Sequence, residues 1–281
     1  MATIRETLRR AARQLEAAGV PDAAADAALL LSHVTGEAPL SLRADAGRPL
    51  SAETLAAFDA LLARRAAREP LQYITGEAPF MGLMLRAEPG VLIPRFDTET
   101  LCEQALARLQ TGQRALDVCT GSGALTIALA SQAPGARVSA GDISETALAL
   151  ARKNAARCGV SVDFRLGDLF APFQGETFHL ILSNPPYIPT PELAGLQPEV
   201  RFEPALALDG GPDGLAFYRR IIRQAPASLE EGGWLLLEIG SSQAEAVRKM
   251  MAAQYEEIAV YTDLNGLDRA VAGRKKHGLC T

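Results

Sequence analysis

Histidine and cysteine are scarce in this chain. Three histidines (His33, His179, His277) and four cysteines (Cys102, Cys119, Cys158, Cys280) are scattered over 281 residues. No Cys-x-x-Cys pair occurs and no histidine clusters with a cysteine. The spacing therefore supports neither a zinc site nor a disulfide framework, and reduced thiols in a cytoplasmic setting are expected, with no metal. Excess positive charge is also missing. A formal net charge of −5 and a pI near 5.4 give no broad basic field, which disfavours stable nucleic-acid binding through bulk phosphate contacts. No apolar run is long enough to cross a bilayer, and the N-terminus has no signal-peptide core, so a soluble protein without membrane association is expected. The opening "MATIRETLRRAARQL" is Arg-rich and amphipathic like an organelle presequence, but Glu6 and its continuation into further helical pattern make it read as a first helix.

The length suffices for an ordinary α/β domain and a smaller one, and 48% hydrophobic residues is normal for a folded protein. Up to about residue 69 the periodicity is helical. Ile4, Leu8, Ala11, Ala12 and Leu15 mark one face, and Ala27, Leu30, Leu31 and Val34 another. Pro21-Asp22 starts a second helix and Ser51 with Glu53 a third. Arg64, Arg65 and Arg68 read most simply as a solvated helix face, with partner binding as the alternative. A β-hairpin is expected over 80–93, turning at Glu88-Pro89-Gly90. Strands over 114–118, 136–141, 162–166, 178–182 and 233–239 then alternate with helices over 97–109, 124–132, 144–158 and 214–228, a pattern that specifies a parallel sheet covered on both faces. The tail reads as two strands about Asn265-Gly266, an antiparallel hairpin at the sheet edge.

In "ALDVCTGSGALTIALA" a glycine loop joins a buried strand to a helix, where Gly121 and Gly123 permit close approach of a nucleotide. A tight turn made for packing uses the same residues. Asp142, ending the second strand about twenty residues on, can grip both ribose hydroxyls. At the end of the third strand Asp168 can accept the adenine amino group and Leu169 cover the adenine face. Thr126 stands where a dinucleotide fingerprint needs its third glycine, which favours S-adenosylmethionine over a pyrophosphate cofactor. The fourth strand ends in "SNPPYIP". A planar amide or amino nitrogen is a poor nucleophile until its N–H bonds are held, and the Asn184 side-chain oxygen with the Pro185 carbonyl supplies two acceptors. Proline presets the turn, and Tyr187 can lie against the flat substrate group. An ordinary Asn-Pro turn is the plain alternative.

"PLQYITGEAPFMGL", "VLIPRFDTE", "DVCTGSGALTIALA", "GDISETALALARKNA", "SNPPYIP", "FEPALALDGGPDGLAFYRRI", "GGWLLLEIG" and "DLNGLDRAVAGR" occur in this order. Across nearly its whole length the chain thus resembles the protein-glutamine N5-methyltransferases that modify peptide chain release factors, the HemK family. Asn-Pro-Pro-Tyr alone is shared with adenine-N6 methyltransferases; the flanking segments are not. The resemblance implies an α/β fold, a Rossmann-like class I methyltransferase sheet, mostly parallel with an antiparallel C-terminal hairpin, plus a small N-terminal helical bundle. It implies an N-terminal bundle (1–75) that helps hold the release factor, a hairpin linker (76–95) and a methyltransferase domain (96–281). The substrate it implies is the glutamine of a Gly-Gly-Gln loop in class 1 release factors, methylated on its side-chain amide. The cofactor set then comprises Asp117, Cys119, Thr120, Gly121, Ser122, Gly123, Asp142, Ile143, Asp168, Leu169 and Asn184. The substrate site is Asn184, Pro185, Pro186 and Tyr187, of which Asn184, Pro185 and Tyr187 are catalytic.

Three departures bear on cofactor affinity. Leu169 stands where relatives often carry Trp, Cys119 where the loop's first glycine would be, and Phe96-Asp97 where Pro-Glu is usual. Because Cys119 directly continues the strand, an extended backbone is expected there, with its thiol beside the methionine part of the cofactor. Two rival functions remain at this stage. One is an adenine methyltransferase, which needs a basic and aromatic target-recognition surface. The other is a module that binds the nucleoside without turnover.

Overall fold

The computed structural model describes residues 2–278, so Cys280 lies outside the described residues. The chain forms two compact units, Met1–Gly76 with Gln197–Phe202, and Glu77–Leu196 with Glu203–Thr281.

The first unit is helical: α1 (Ile4–Ala17), α2 (Ala23–Thr35), α3 (Pro39–Ala44), α4 (Ala52–Ala66) and α5 (Leu71–Thr75). Thr3 and Glu6 cap α1 reciprocally, each side chain accepting from the other's backbone N–H. Ser51 Oγ accepts from Thr54 N at 3.0 Å to open α4. The expected faces are buried, with Ile4, Leu15, Leu30, Leu31, Phe58 and Leu62 in one core. Helices α3 and α5, six and five residues long, are too short to show a period. The expectation of a solvated arginine face fails for two of its three members. Arg64 does pair with Glu69 at the surface, but Arg65 is buried, its Nε donating to Asp26 Oδ2 at 2.7 Å and its Nη2 to Glu199 Oε1 at 2.9 Å. Arg68 Nη2 donates to Glu199 Oε2 at 2.6 Å. Burial alone would raise the Glu199 pKa, yet Arg68 and Arg65 hold it at about 2. Glu199 lies more than a hundred residues away in sequence, so local periodicity had no means of revealing the burial.

The second unit begins with a hairpin, β1 (Glu77–Phe80) and β2 (Leu83–Arg86). It turns at Met81-Gly82, not at Glu88-Pro89-Gly90. Both turn residues have positive φ, 49° and 76°, the two-residue geometry that matches the twist of paired strands. Phe80 and Leu85 are fully buried in this unit's core. There follow α6 (Thr98–Leu106), β3 (Arg114–Val118), α7 (Ala124–Gln132), β4 (Arg137–Asp142), α8 (Glu145–Cys158), β5 (Asp163–Leu166), β6 (Phe178–Ser183), α9 (Ala216–Ser228), β7 (Leu229–Glu238), α10 (Ala244–Met251), β8 (Tyr255–Thr262) and β9 (Asp268–Lys275). The sheet order is β5-β4-β3-β6-β7-β9-β8. The first five strands run parallel and the last two join antiparallel. Asp263 Oδ1 accepts from Asn265 N and Leu267 N to close the final turn. Strand β7 starts four residues earlier than its sequence suggests, because Leu229 pairs with Phe178 across a register shift despite the turn-like Glu230-Glu231-Gly232-Gly233. Helix α10 has no counterpart among the expected elements.

Alternation along the strands divides the core. Leu116, Val118, Ile181, Leu235 and Leu237 face α9 and α10; Ala115, Leu180, Leu182 and Leu236 face α6 and α7. Among the described residues no helix is long and apolar enough to cross a membrane, and no cluster of His, Cys, Asp and Glu could hold a metal.

Candidate functional site

The carboxyl ends of β3, β4 and β6, with the loop after β5, surround a cavity of about 230 Å³. In a parallel sheet the loops leave every strand on this side, so residues distant in sequence converge there. Cys119, Gly121, Asp142, Ile143, Asp168, Leu169, Asn184 and Pro186 all line the cavity. Thr120 and Ser122 line an adjoining recess of about 40 Å³ together with Thr98 and Asn184.

Asp142 is the hinge of the site. Its Oδ2 accepts from Gly121 N at 2.8 Å and its Oδ1 from Ser144 N at 2.9 Å. Two of the carboxylate's four acceptor positions are thereby used and two remain. Burial raises its pKa, against the pull of the Ser144 and Gly121 amides. Beside it Ile143 is 57% exposed, an apolar face with no protein cover. Leu169 is buried with φ 49°, and Asp168 pairs with Arg220 of α9.

Asp117 and Gly123, both expected as cofactor contacts, are not among the residues that line the cavity. Asp117 shares the Ala115 side of β3 and is covered by α7. Its Oδ2 accepts from Thr120 Oγ1 at 2.7 Å and Thr126 Oγ1 at 2.6 Å, and its Oδ1 is buried without a partner. Burial pushes its carboxyl up to about 7. Thr126, noted for not being glycine, is thus a foot of the loop. Gly123 opens α7 with φ 82° and packs toward α8, where an added Cβ would stand 3.1 Å from the Ala151 Cβ.

Cys119 overturns the expectation of an extended backbone. Strand β3 ends at Val118, and Cys119 has φ 64°, in the left-handed region. The strand ends where its pattern suggests, but Cys119 does not continue its extended backbone and takes the first position of the turn. The thiol still lines the cavity. Burial, and next the Asp142 charge, push its pKa far up, keeping it neutral.

At the tip of β6, Asn184 Nδ2 donates to Thr98 Oγ1 at 3.3 Å. Pro186 faces the cavity, whereas Pro185 and Tyr187 do not line it. The Tyr187 ring packs on the core and its hydroxyl donates to Glu238 Oε1 at 3.4 Å. Burial, then the Glu238 charge, raise its pKa well above the usual phenol value. In this placement the ring leans on the core, with its hydroxyl toward Glu238. Behind it, the Tyr187 carbonyl accepts from Gln243 Nε2 at 2.9 Å. Gly214, with φ 72°, comes so close that a Cβ would lie 2.4 Å from that carbonyl oxygen. This explains the Gly-rich "DGGPDG", which the sequence alone could only quote.

Arg220, Thr98 and Glu238 were not singled out from the sequence. Nothing local separates Arg220 from Arg219, which turns instead to Asp213. Glu238 sits in an apolar run, and a lone acid there was the available signal.

Comparison with known proteins decides the family. Residues 6–76 match the model described as PrmC N-terminal domain, and residues 90–193 match the methyltransferase small domain. A release factor glutamine methyltransferase of Geobacter sulfurreducens is 47% identical over 274 residues, covering 97% of this chain and 96% of that protein. The chain belongs to the release factor glutamine methyltransferase family. A second relative of the same description, from Cereibacter sphaeroides, is 46% identical over 96% of this chain and 97% of its own length. Among solved structures, a methyltransferase from Pyrococcus furiosus matches with a TM-score of 0.53 at 19% identity, over 69% of this chain and 90% of that one, and shares the fold alone. The family resemblance read from the motifs is borne out, and with it an α/β methyltransferase sheet carrying an N-terminal helical region.

Proposed function

We infer that this enzyme transfers a methyl group from S-adenosylmethionine to the side-chain amide nitrogen (N5) of a glutamine in a peptide chain release factor, the glutamine of its Gly-Gly-Gln loop. The observation that carries this reading is Asn184 at the tip of β6, at the wall of a cavity whose charge balance is acidic. Asp142 and Asp168 line the cavity, and Arg220 offsets only one of them. A cationic ligand with a ribose fits that balance, and a pyrophosphate does not. Asp142 keeps two acceptor positions for ribose hydroxyls, and Ile143 and Leu169 offer apolar cover to a base. S-adenosylmethionine supplies an electrophilic methyl carbon. Asn184 has its Nδ2 engaged by Thr98, so its Oδ1 is left to accept from a planar NH2 group. Holding those N–H bonds fixes the plane of the amide before reaction, which lowers the entropic part of the barrier. The helical unit contributes to holding the release factor.

The test supplies methyl-labelled S-adenosylmethionine with purified release factor, its loop Gln→Ala variant, and duplex DNA. Label is expected in the intact factor only. Asn184→Ala should bind cofactor yet lose roughly two to three orders of magnitude in turnover, the scale for removing one preorganised polar contact. Label in DNA but not in the factor would overturn the assignment.

A further inference from the structure

Two stretches outside the strands of the sheet wall the cavity, Gly90, Val91 and Leu92 on one, Pro204, Leu206 and Ala207 on the other. Glu203 joins them. Its side chain is 1% exposed, its Oε2 accepts from the Ile93 N–H at 3.0 Å, and its Oε1 accepts from Arg95 Nη2. One buried carboxylate thus ties the chain just after the first wall to the chain just before the second. The second wall needs such a tie, because Gln197–Phe202 packs with the helical unit and the chain re-enters the methyltransferase unit at Glu203. Both residues of the backbone bond precede a proline, Pro94 and Pro204, which biases Ile93 and Glu203 toward extended backbone. Each wall is therefore stiff where it is tied, and one hydrogen bond fixes both.

We propose that Glu203 is a positioning residue that pins the two walls at the spacing S-adenosylmethionine requires, and so governs how long the bound cofactor stays. The inference rests on the cofactor reading of the cavity. An acid buried against a single half-exposed cation gains little net stability over apolar packing. What it adds is direction: two acceptor oxygens on one rigid group, one held by a backbone N–H and one by a guanidinium. The backbone bond sets the distance between the walls, and Arg95 balances the buried charge. Asp142 ends β4 and Asn184 follows the end of β6, so both stand on the sheet and not on these walls. Releasing the pin loosens the cover over the cofactor and leaves the strand-end groups in place.

Thermodynamic linkage gives the pin a signature in the unmodified protein. If closing the bond between Glu203 and Ile93 strengthens cofactor binding by some factor, bound cofactor must suppress opening of that bond by the same factor. The buried Ile93 amide proton exchanges with solvent when that bond opens, so its exchange rate reads the factor. Arg114 N, bonded to His179 Nδ1 at the end of β3 opposite Cys119, serves as the control.

Two measurements test the pin. The first is amide exchange of the wild type by NMR, with and without saturating S-adenosylmethionine. Ile93 exchange should slow roughly 10- to 100-fold, the scale of one hydrogen bond to a charged group, while Arg114 exchange stays the same. The second is stopped-flow release of bound cofactor. Glu203→Ala should release it roughly 10- to 100-fold faster on the same scale, with kcat at saturating cofactor nearly unchanged. Glu203→Gln keeps an acceptor for the Ile93 N–H and should restore most of the residence time. Retained protection of Arg114 N reports that each variant is folded. An Ile93 rate indifferent to cofactor overturns the proposal whether or not the variants fold. So does Glu203→Gln releasing cofactor as fast as Glu203→Ala, or a lowered kcat in Glu203→Ala with unchanged release. If calorimetry shows that the wild type binds no S-adenosylmethionine, the cofactor reading itself fails and the proposal falls with it.

Discussion

Cys119 offers the sharpest physical test, because its backbone and its side chain make separable predictions. An L-residue held at φ 64° costs about 1–2 kcal/mol relative to the right-handed well, and glycine escapes most of that. Glycine also loses about 0.4–1 kcal/mol through the greater freedom of its unfolded chain. Replacing Cys119 by Gly or by Ala removes the thiol in both cases, so the lost packing of sulphur on the core cancels in the comparison. What remains is relief of the left-handed strain less the entropy term, about 0.5–1 kcal/mol in favour of Cys119→Gly over Cys119→Ala. For a chain of this size that is roughly 2 °C in Tm. Thermal unfolding of both variants without ligand, checked by urea midpoints at equal slope, measures it. An extended backbone reverses the sign, since alanine then keeps the entropy advantage with nothing to offset it. Alanine equal to or more stable than glycine would therefore refute the turn assignment at this residue.

Other perturbations follow from the same structure. Asp142→Ala should weaken S-adenosylmethionine binding by about 1.5–3 kcal/mol, the range for hydrogen bonds to a charged group, and calorimetry showing unchanged affinity would contradict its ribose role. Since Gly121 and Ser144 also lose their acceptor, its Tm should fall as well. Glu199→Gln leaves Arg65 and Arg68 facing a neutral group in a largely buried setting and should cost about 3 kcal/mol of helical-unit stability by denaturant unfolding; a loss under 0.5 kcal/mol would mean the cluster is solvated after all. Because Glu199 ionises at about 2 when folded, against 4.5 otherwise, its contribution is present above about pH 4.5 and is lost as pH falls toward 2. Asp117 and Glu238 act oppositely. Both are raised to about 7 in the folded state, which therefore binds more protons than the unfolded chain between about pH 4.5 and 7, and stability should decline as pH rises through that window. Urea midpoints that instead climb from pH 5 to 7 would show that these two acids do not titrate as buried groups.

The sequence by itself determined the α/β class, the strand and helix alternation, the acidic composition poor in histidine and cysteine, and the motif order that marks the family. These are properties of local pattern: a period of two or near four, a capping Ser51, a proline that ends a strand. It also named eight of the residues that line the cavity, since strand ends in a parallel sheet are predictable meeting points. Only the tertiary structure decided what pairing across distance controls. Arg65 and Arg68 looked solvated until Glu199 arrived from a segment more than a hundred residues on. The hairpin turned at Met81-Gly82 because two adjacent positive φ values suit a twisted ribbon better than the more conspicuous Pro-Gly. Strand β7 absorbed two glutamates and two glycines to complete its pairing with β6. Asp117 was buried with the Thr120 and Thr126 hydroxyls on it, and the Tyr187 hydroxyl met Glu238, an acid buried in an apolar strand. For the charged and polar side chains the deciding term was desolvation, and for the hairpin and β7 it was strand pairing; both depend on neighbours that linear sequence does not place.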